Sequence, residues 1–129
     1  MKNKILIVVA NYYMDISKNL LKNSIKKLSN NYKIKVIYTP GIFEIPVTIA
    51  KNKNKYDCFI ALGCVIKGQT PHFDFISKST TDAIMNLSIQ IRKPIGNGII
   101  TCLNKSQAIK RYKKGAEAAS AVISVMSQK

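Results

Sequence analysis

Acidic and guanidinium side chains are scarce in this chain. Of its 129 residues only 6 are Asp or Glu, against 21 Lys or Arg, and the formal net charge is +15. This surplus favours an anionic partner, for example nucleic acid, a membrane surface or a phosphorylated metabolite. Only Arg92 and Arg111 carry a guanidinium, although contacts to nucleic-acid bases favour the bidentate fork of Arg over Lys. The composition therefore argues against a dedicated nucleic-acid surface, and a general drift toward Lys, Asn and Ile is the favoured explanation of the excess.

Long apolar runs and paired cysteines are missing as well. No apolar stretch approaches the ~20 residues that a membrane helix needs, and no cleavable apolar leader opens the chain, so we expect a cytoplasmic protein with no membrane partner. Cys58, Cys64 and Cys102 are odd in number and form no CxxC pair or Cys-His spacing typical of zinc. We therefore expect no disulfide framework and no metal site, with Cys58 and Cys102 as small buried apolar residues.

Four short apolar segments recur along the chain and predict strands, at residues 5–10, 34–38, 58–62 and 95–102. The first and third are apolar throughout, which is typical of strands covered on both faces of a parallel sheet. Helical periodicity predicts helices over residues 15–30, 44–52, 73–92 and 104–126, the first capped by Asp15 or Ser17 and the last broken near Gly115. The alternation predicts one α/β domain over residues 1–129, a flavodoxin-like, three-layer αβα sandwich around a parallel sheet of about four strands.

The loop at residues 63–72 is the strongest candidate for a functional site. Ligands of open parallel sheets bind beyond the carboxyl ends of the strands, and this loop follows the third predicted strand. Backbone N–H groups near Gly68, Gln69 and Thr70 could hold a phosphate at the start of the next helix. His72 is the only histidine, and an unperturbed imidazole, with a pKa near ~6.5, suits proton transfer. A lone histidine is also common as a structural residue, so both interpretations stay open.

Three further positions have a functional and a structural interpretation. Residues 40–46 are either a turn into a helix or a loop whose backbone and Glu44 carboxylate bind a polar heterocycle. Tyr12 offers either a ring for stacking or a core residue at a strand end. Arg111 and Lys114 belong either to a solvated helix face or to a second phosphate anchor, for which the planar guanidinium of Arg111 is well suited.

Two of these segments carry a family resemblance. Residues 39–46, TPGIFEIP, are similar to the PGxFEIP loop of the lumazine synthase family, and residues 61–74, ALGCVIKGQTPHFD, resemble its LGxVIxGxTxH element. Residues 104–119 are similar to the closing region of the family, so the resemblance spans nearly the whole chain. It implies a transferase of riboflavin biosynthesis that condenses 5-amino-6-(ribitylamino)uracil with 3,4-dihydroxy-2-butanone 4-phosphate, with 6,7-dimethyl-8-ribityllumazine, phosphate and water as products. It implies no metal or organic cofactor.

The resemblance also implies roles for individual residues. His72 is implied as the proton-transfer group. The phosphate is implied to be held by Gln69, Thr70, Arg111 and Lys114. The pyrimidine and its ribityl chain are implied to be held by Tyr12, Ile42, Phe43, Glu44, Cys64, Val65, Ile66 and Asn97. The chain departs from the family at residues 11–13, where Asn-Tyr-Tyr replaces the usual Arg-Phe-Asn, and at Asn97, where a neighbouring subunit commonly supplies an aromatic ring.

Small-molecule substrates and a homo-oligomer built from pentamers are the partners that the resemblance implies, with riboflavin synthase as a further partner by family analogy. Because the high charge opposes closed shells at low salt, we expect a pentamer as the main species. Two other hypotheses remain. One is a polyanion-binding module on a flavodoxin-type scaffold, which would have no need of a glycine-rich loop ending in His72. The other is a catalytically decayed relative kept for assembly, which Asn97 keeps open.

Overall fold

The computed structural model describes residues 2–68 and 73–128. Its strands are β1 (Asn3–Ala10), β2 (Tyr32–Thr39), β3 (Cys58–Ile66) and β4 (Ile95–Cys102). Its helices are α1 (Met14–Leu28), α2 (Ile45–Lys51), α3 (Phe73–Ile91), α4 (Lys105–Lys110) and α5 (Lys114–Met126). Short 3-10 turns cover Ser29–Asn31 and Ile42–Glu44. The four strands form one parallel sheet in the order β2-β1-β3-β4, an order found in flavodoxin-like folds, and the predicted parallel sheet of about four strands is confirmed.

Two apolar clusters cover the two faces of the sheet. Ile5, Ile7 and Val9 of β1 point toward α1 and α5, whereas Leu6 and Val8 point toward α2 and α3. The alternation follows from the strand period of two residues, so a strand that is apolar throughout needs a helical layer on each side. The predicted three-layer sandwich is therefore confirmed. Within the described residues, no helix has the length and apolar character that crossing a membrane would require.

The third strand is longer than the sequence pattern predicted. The apolar pattern suggested residues 58–62, but β3 continues to Ile66 because residues 63–66 pair with residues 99–102 of β4. All nine residues of β3 are buried. Cys64, Val65 and Ile66 are therefore strand residues, and the prediction that they lie in a loop was wrong.

The helix boundaries differ from the predicted ones at two places. Neither Asp15 nor Ser17 caps α1, which begins at Met14 without a side-chain cap; the hydroxyl of Ser17 instead donates to the carbonyl oxygen of Ala10 and holds α1 against the end of β1. The predicted break near Gly115 falls at residues 111–113, between α4 and α5. Gly115 itself lies inside α5, where it lets two helices approach closely.

The contact between α1 and α5 depends on Gly115. Its carbonyl oxygen accepts a hydrogen bond of 2.7 Å from the buried hydroxyl of Ser24. A Cβ atom at Gly115 would overlap the backbone carbonyl of Leu20. Because the obstacle is backbone and not a flexible side chain, neither helix can yield without a shift of the whole element.

We predict that Gly115→Ala destabilises the protein, although alanine favours a helix interior by about 1 kcal/mol over glycine. Forcing an extra methyl into a close-packed contact typically costs about 1–3 kcal/mol. Urea denaturation should therefore give a lower free energy of unfolding for this variant. Ser124→Ala, at an exposed position of the same helix, is the matched control and should be neutral or slightly stabilising. A Gly115→Ala protein as stable as the wild type would contradict the close contact.

Candidate active site

A hydrogen-bonded loop after β2 lies at the carboxyl edge of the sheet beside the end of β1. The Asn11 N–H donates to the Thr39 carbonyl oxygen at 2.9 Å, and the Thr39 hydroxyl donates to the Gly41 carbonyl oxygen at 2.8 Å. The Gly41 N–H donates to Oε1 of Glu44 at 2.9 Å. One carboxylate oxygen of Glu44 therefore holds the loop, and its other oxygen can bind a ligand without loss of this contact.

Two aromatic rings stand exposed at this edge. Tyr12 is 69% exposed and Phe43 is 65% exposed, so neither is a core residue. The Tyr12 ring meets the Tyr13 ring edge to face, with the ring centroids 4.9 Å apart. A fixed and open ring is suited to stacking on a flat heterocycle. Of the two interpretations of Tyr12, the structure therefore favours the stacking ring over the core residue.

Ile42 differs from Phe43, its neighbour in the chain. It is only 6% exposed and belongs to the core, and its side chain lies so close to Gly63 that a Cβ atom there would be 2.8 Å from its Cγ2. Gly63 thus allows the turn after β2 to lie directly against β3. A ligand at this edge could contact Ile42 through its backbone, but its side chain is enclosed.

The end of β3 offers backbone rather than side chains. Cys64 and Ile66 point into one apolar cluster and Val65 into the other. Burial, with the neighbouring Cys102 thiol as a second cause, raises the pKa of Cys64 to about 12. β1 pairs with β3 only as far as Leu62, so among the described strands the β3 edge at residues 63–66 that faces the end of β1 has no ladder partner. It lies beside Tyr12 and the loop after β2.

A basic groove lies at the β4 edge of the sheet, which is the edge opposite β2. Its volume is about 530 Å³, and it is lined by Ile99, Ile100, Thr101, Lys110, Arg111, Lys113, Lys114 and Glu117. Arg111 follows α4 as its C-cap, and its Nη1 donates to the Thr101 carbonyl oxygen at 2.7 Å. Four cations against one carboxylate make this groove suitable for a phosphate ester. Lys110 and Lys113 were not predicted to line this groove, because nothing in the sequence distinguishes them among so many lysines.

The two halves are separate within one chain. The groove contains no residue from the loops after β1 or β2. Two strand spacings, roughly 10 Å, separate β1 from β4. Asn97 lies in the middle of β4, where its Oδ1 accepts a hydrogen bond of 3.0 Å from the Ile99 N–H. The structure therefore places Tyr12, Phe43 and Glu44 at the same edge of the sheet, and Arg111 with Lys114 in one groove, but does not bring Asn97 to either group.

Gln69, Thr70 and His72 lie outside the described residues. Gly68, the last residue before them, has a φ of 85°, a left-handed conformation that glycine adopts without strain. This agrees with a tight turn at the start of the predicted phosphate loop. Within residues 2–68 and 73–128, no three His, Cys, Asp or Glu side chains form a group that could hold a metal.

Comparison with known sequences identifies the family. A profile described as 6,7-dimethyl-8-ribityllumazine synthase matches residues 2–129. The chain belongs to this family. Among relatives with this name, the protein of Bartonella tribocorum is 40% identical, over 99% of this chain and 91% of its own length. That of Vesicomyosocius okutanii is 42% identical over 95% of this chain and 83% of its own length.

Membership of the lumazine synthase family confirms the resemblance carried by the two motifs. Both motifs lie at the carboxyl edge of the sheet: the PGxFEIP-like loop follows β2, and the LGxVIxGxTxH-like element begins within β3. The first forms the loop around Glu44, and the second forms the end of β3 at residues 63–66. The two segments are distant in sequence, and they flank the end of β1 on its two sides.

We predict that Cys58 and Cys64 react very slowly with thiol reagents in the folded protein. Burial raises the pKa of each to about 12, with Asp57 as a second cause for Cys58. Since a raised pKa keeps the thiol protonated, only about 1 molecule in 10⁴ carries the reactive thiolate at pH 8. Labelling with a chromogenic disulfide at pH 8 should be slow until denaturant is added. Rapid modification of Cys64, identified by comparison with Cys64→Ser, would contradict this burial.

Proposed function

We propose that this chain condenses 5-amino-6-(ribitylamino)uracil with 3,4-dihydroxy-2-butanone 4-phosphate to form 6,7-dimethyl-8-ribityllumazine, acting in the cytoplasm. One observation carries the proposal: the carboxyl edge of the sheet holds two different half-sites. One has exposed rings and a carboxylate, and the other is strongly basic. The first suits a flat polar heterocycle, and the second suits a phosphate ester. These are the two substrates of the reaction.

The pyrimidine occupies the half-site at the ends of β1, β2 and β3. Tyr12 and Phe43 stack on its ring, and the free oxygen of Glu44 accepts hydrogen bonds from its N–H groups. Ile42, Cys64, Val65 and Ile66 contribute backbone groups, because their side chains are buried. Asn97 of a neighbouring copy borders this half-site with an amide in place of the aromatic ring that is usual in the family.

The butanone phosphate is bound by Arg111 and Lys114 in the basic groove of one copy, together with Gln69 and Thr70 of the neighbouring copy. The guanidinium supplies planar donors, and the lysine supplies a compact charge. Lys110 and Lys113 line the same groove and strengthen its positive potential. This charge also stabilises the phosphate that leaves during the reaction.

The chemistry consists of proton transfers between two substrates that the protein holds in place. An imine forms between the amine and the ketone with loss of one water, phosphate is eliminated, and the second ring closes with loss of a second water. His72 transfers protons in these steps, a role that an imidazole can fill near neutral pH. Orientation of the two substrates supplies much of the remaining rate gain.

The active site is shared between neighbouring copies, because one chain does not bring its two half-sites together. Two separate apolar surfaces support such an assembly. The first surface lies on α2 and α3 and exposes Val47, Phe75, Met85 and Ile89. The second lies on and before α4 and exposes Leu103 and Ile109. Exposed apolar surface of this extent is typical of interfaces. When one surface of a chain binds a different surface of the next copy, the contacts are head to tail and can close a ring. We therefore propose a homopentamer.

The deciding experiment mixes the purified protein with the two substrates and follows the fluorescence of the lumazine product. The rate should exceed the slow uncatalysed background in proportion to protein concentration. Inorganic phosphate should compete with the butanone phosphate and not with the pyrimidine. A rate equal to the background, measured on the assembled protein, would reject the proposal and favour a decayed relative kept for assembly.

We predict that Arg111→Ala raises the apparent KM for the butanone phosphate about 10- to 100-fold and leaves that for the pyrimidine nearly unchanged. A hydrogen bond to a charged group contributes about 1.5–3 kcal/mol. Arg92→Ala is the matched control, because Arg92 precedes the amino end of β4, away from the half-sites. Equal weakening toward both substrates would show that Arg111 supports the structure and not the phosphate.

We predict that His72→Ala lowers the turnover rate by about 10- to 10⁴-fold, the usual range for a lost acid–base group. Mixing this variant with Arg111→Ala, after dissociation and reassembly, should restore activity. If equal amounts of the two variants combine at random around a ring, about a quarter of the shared sites have the native His72 from one chain and the native Arg111 from its neighbour. Light scattering should give the mass of a pentamer for each variant. No recovery in mixed pentamers, or an active monomer, would contradict the shared site.

A further inference from the structure

Arg111 is held by β4 as well as by its own helix. It lies at the end of α4, but its Nη1 is 2.7 Å from the Thr101 carbonyl oxygen and 3.9 Å from Sγ of Cys102. Thr101 and Cys102 are the last two residues of β4. The guanidinium is therefore fixed against the end of a strand, although the Arg111 residue is exposed.

The segment that joins β4 to Arg111 is itself constrained. The Asn104 Oδ1 accepts a hydrogen bond of 3.0 Å from the Gln107 N–H and caps α4. In return, Oε1 of Gln107 accepts one of 2.8 Å from the Leu103 N–H. These hydrogen bonds fix the backbone between β4 and α4, and the contacts of Nη1 fix the position of the Arg111 guanidinium.

Cys102 differs in its surroundings from Cys58. Both are buried free cysteines, with exposures of 2% and 0%. The Cys58 sulfur lies 3.8 Å from the Lys4 carbonyl oxygen, at the amino end of β3 and away from the half-sites. The Cys102 sulfur contacts the guanidinium that the proposed reaction uses. The two residues therefore share their chemistry and burial but not their neighbours.

We infer that Cys102 is a positioning residue that, with the Thr101 carbonyl, holds one terminal nitrogen of Arg111 so that Nε and Nη2 can bind the phosphoryl group. Its role in the reaction rests on the proposed function. A thiol sulfur is a weak but polarisable acceptor, and it suits the weakly hydrated guanidinium better than it would suit an ammonium group. A side chain that is already ordered loses less entropy when the phosphate binds.

The test compares variants that keep or remove an acceptor at position 102. Cys102→Val fills similar space without an acceptor, Cys102→Ser keeps an acceptor, and Cys58→Val is the matched control. The first measurement is the dissociation constant of inorganic phosphate, from a ³¹P NMR titration of the assembled protein. Cys102→Val should weaken binding about 3- to 10-fold, the effect of one modest hydrogen bond, whereas the other two should stay within about 2-fold of the wild type.

Kinetics supply the readout that a purely structural role would not produce. Cys102→Val should raise the KM for the butanone phosphate by the same factor, with kcat and the KM for the pyrimidine within about 2-fold of the wild type. Cys102→Ala serves the same comparison if Cys102→Val does not fold. The inference would be overturned if Cys102→Val bound phosphate as tightly as the wild type, or if Cys102→Ser or Cys58→Val lost as much affinity as Cys102→Val. It would also be overturned if the wild type bound no phosphate. If the wild type forms no lumazine, the proposed function fails, and the phosphate titration alone decides the role of Cys102.

Discussion

Burial of β3 on both faces is the constraint on which the rest of the structure depends. All nine of its residues are buried, and their side chains alternate between the two apolar clusters. Each large apolar side chain of this kind contributes roughly 1.5–3 kcal/mol when buried, so exposure of either face would be very costly. Helices must therefore lie on both sides of the sheet. Gly96 of β4 makes room for α5, because a Cβ atom there would overlap the Ala118 carbonyl, and Gly98 makes room for the Leu62 side chain of β3.

The same burial decides how the proposed pyrimidine half-site is built. Since the side chains at the end of β3 belong to the core, only the backbone is left to contact a ligand there. Among the described strands, the shorter β1 leaves that edge of β3 without a ladder partner beyond Leu62, and the loop around Glu44 lies on the other side of the gap. Recognition of a polar heterocycle by backbone groups tolerates sequence change, which is consistent with the replacement of the usual Arg-Phe-Asn by Asn-Tyr-Tyr at residues 11–13.

The positive charge has a different significance in different parts of the molecule. Most lysines lie on exposed surfaces, and within the described residues the one ion pair joins Lys78 to Asp82 at 2.7 Å. Exposed charges of this kind are well screened at physiological salt. The groove beside β4 differs because several cations face one concave volume and Arg111 is held by backbone. Convergence and orientation, more than net charge, distinguish a phosphate site from a basic surface.

Local patterns in the sequence determined the three-layer arrangement, the parallel sheet and the two motifs of the family. They could do so because apolar periodicity and turn residues act over neighbouring positions. Only the tertiary structure decided that β3 extends to Ile66, since that length depends on pairing with β4, which is more than thirty residues away. It also decided that Ser17 binds Ala10 instead of capping a helix, and that Cys102 contacts Arg111. These contacts depend on which backbone atoms and side chains come within about 3–4 Å after packing, and no local pattern of residue types encodes that proximity.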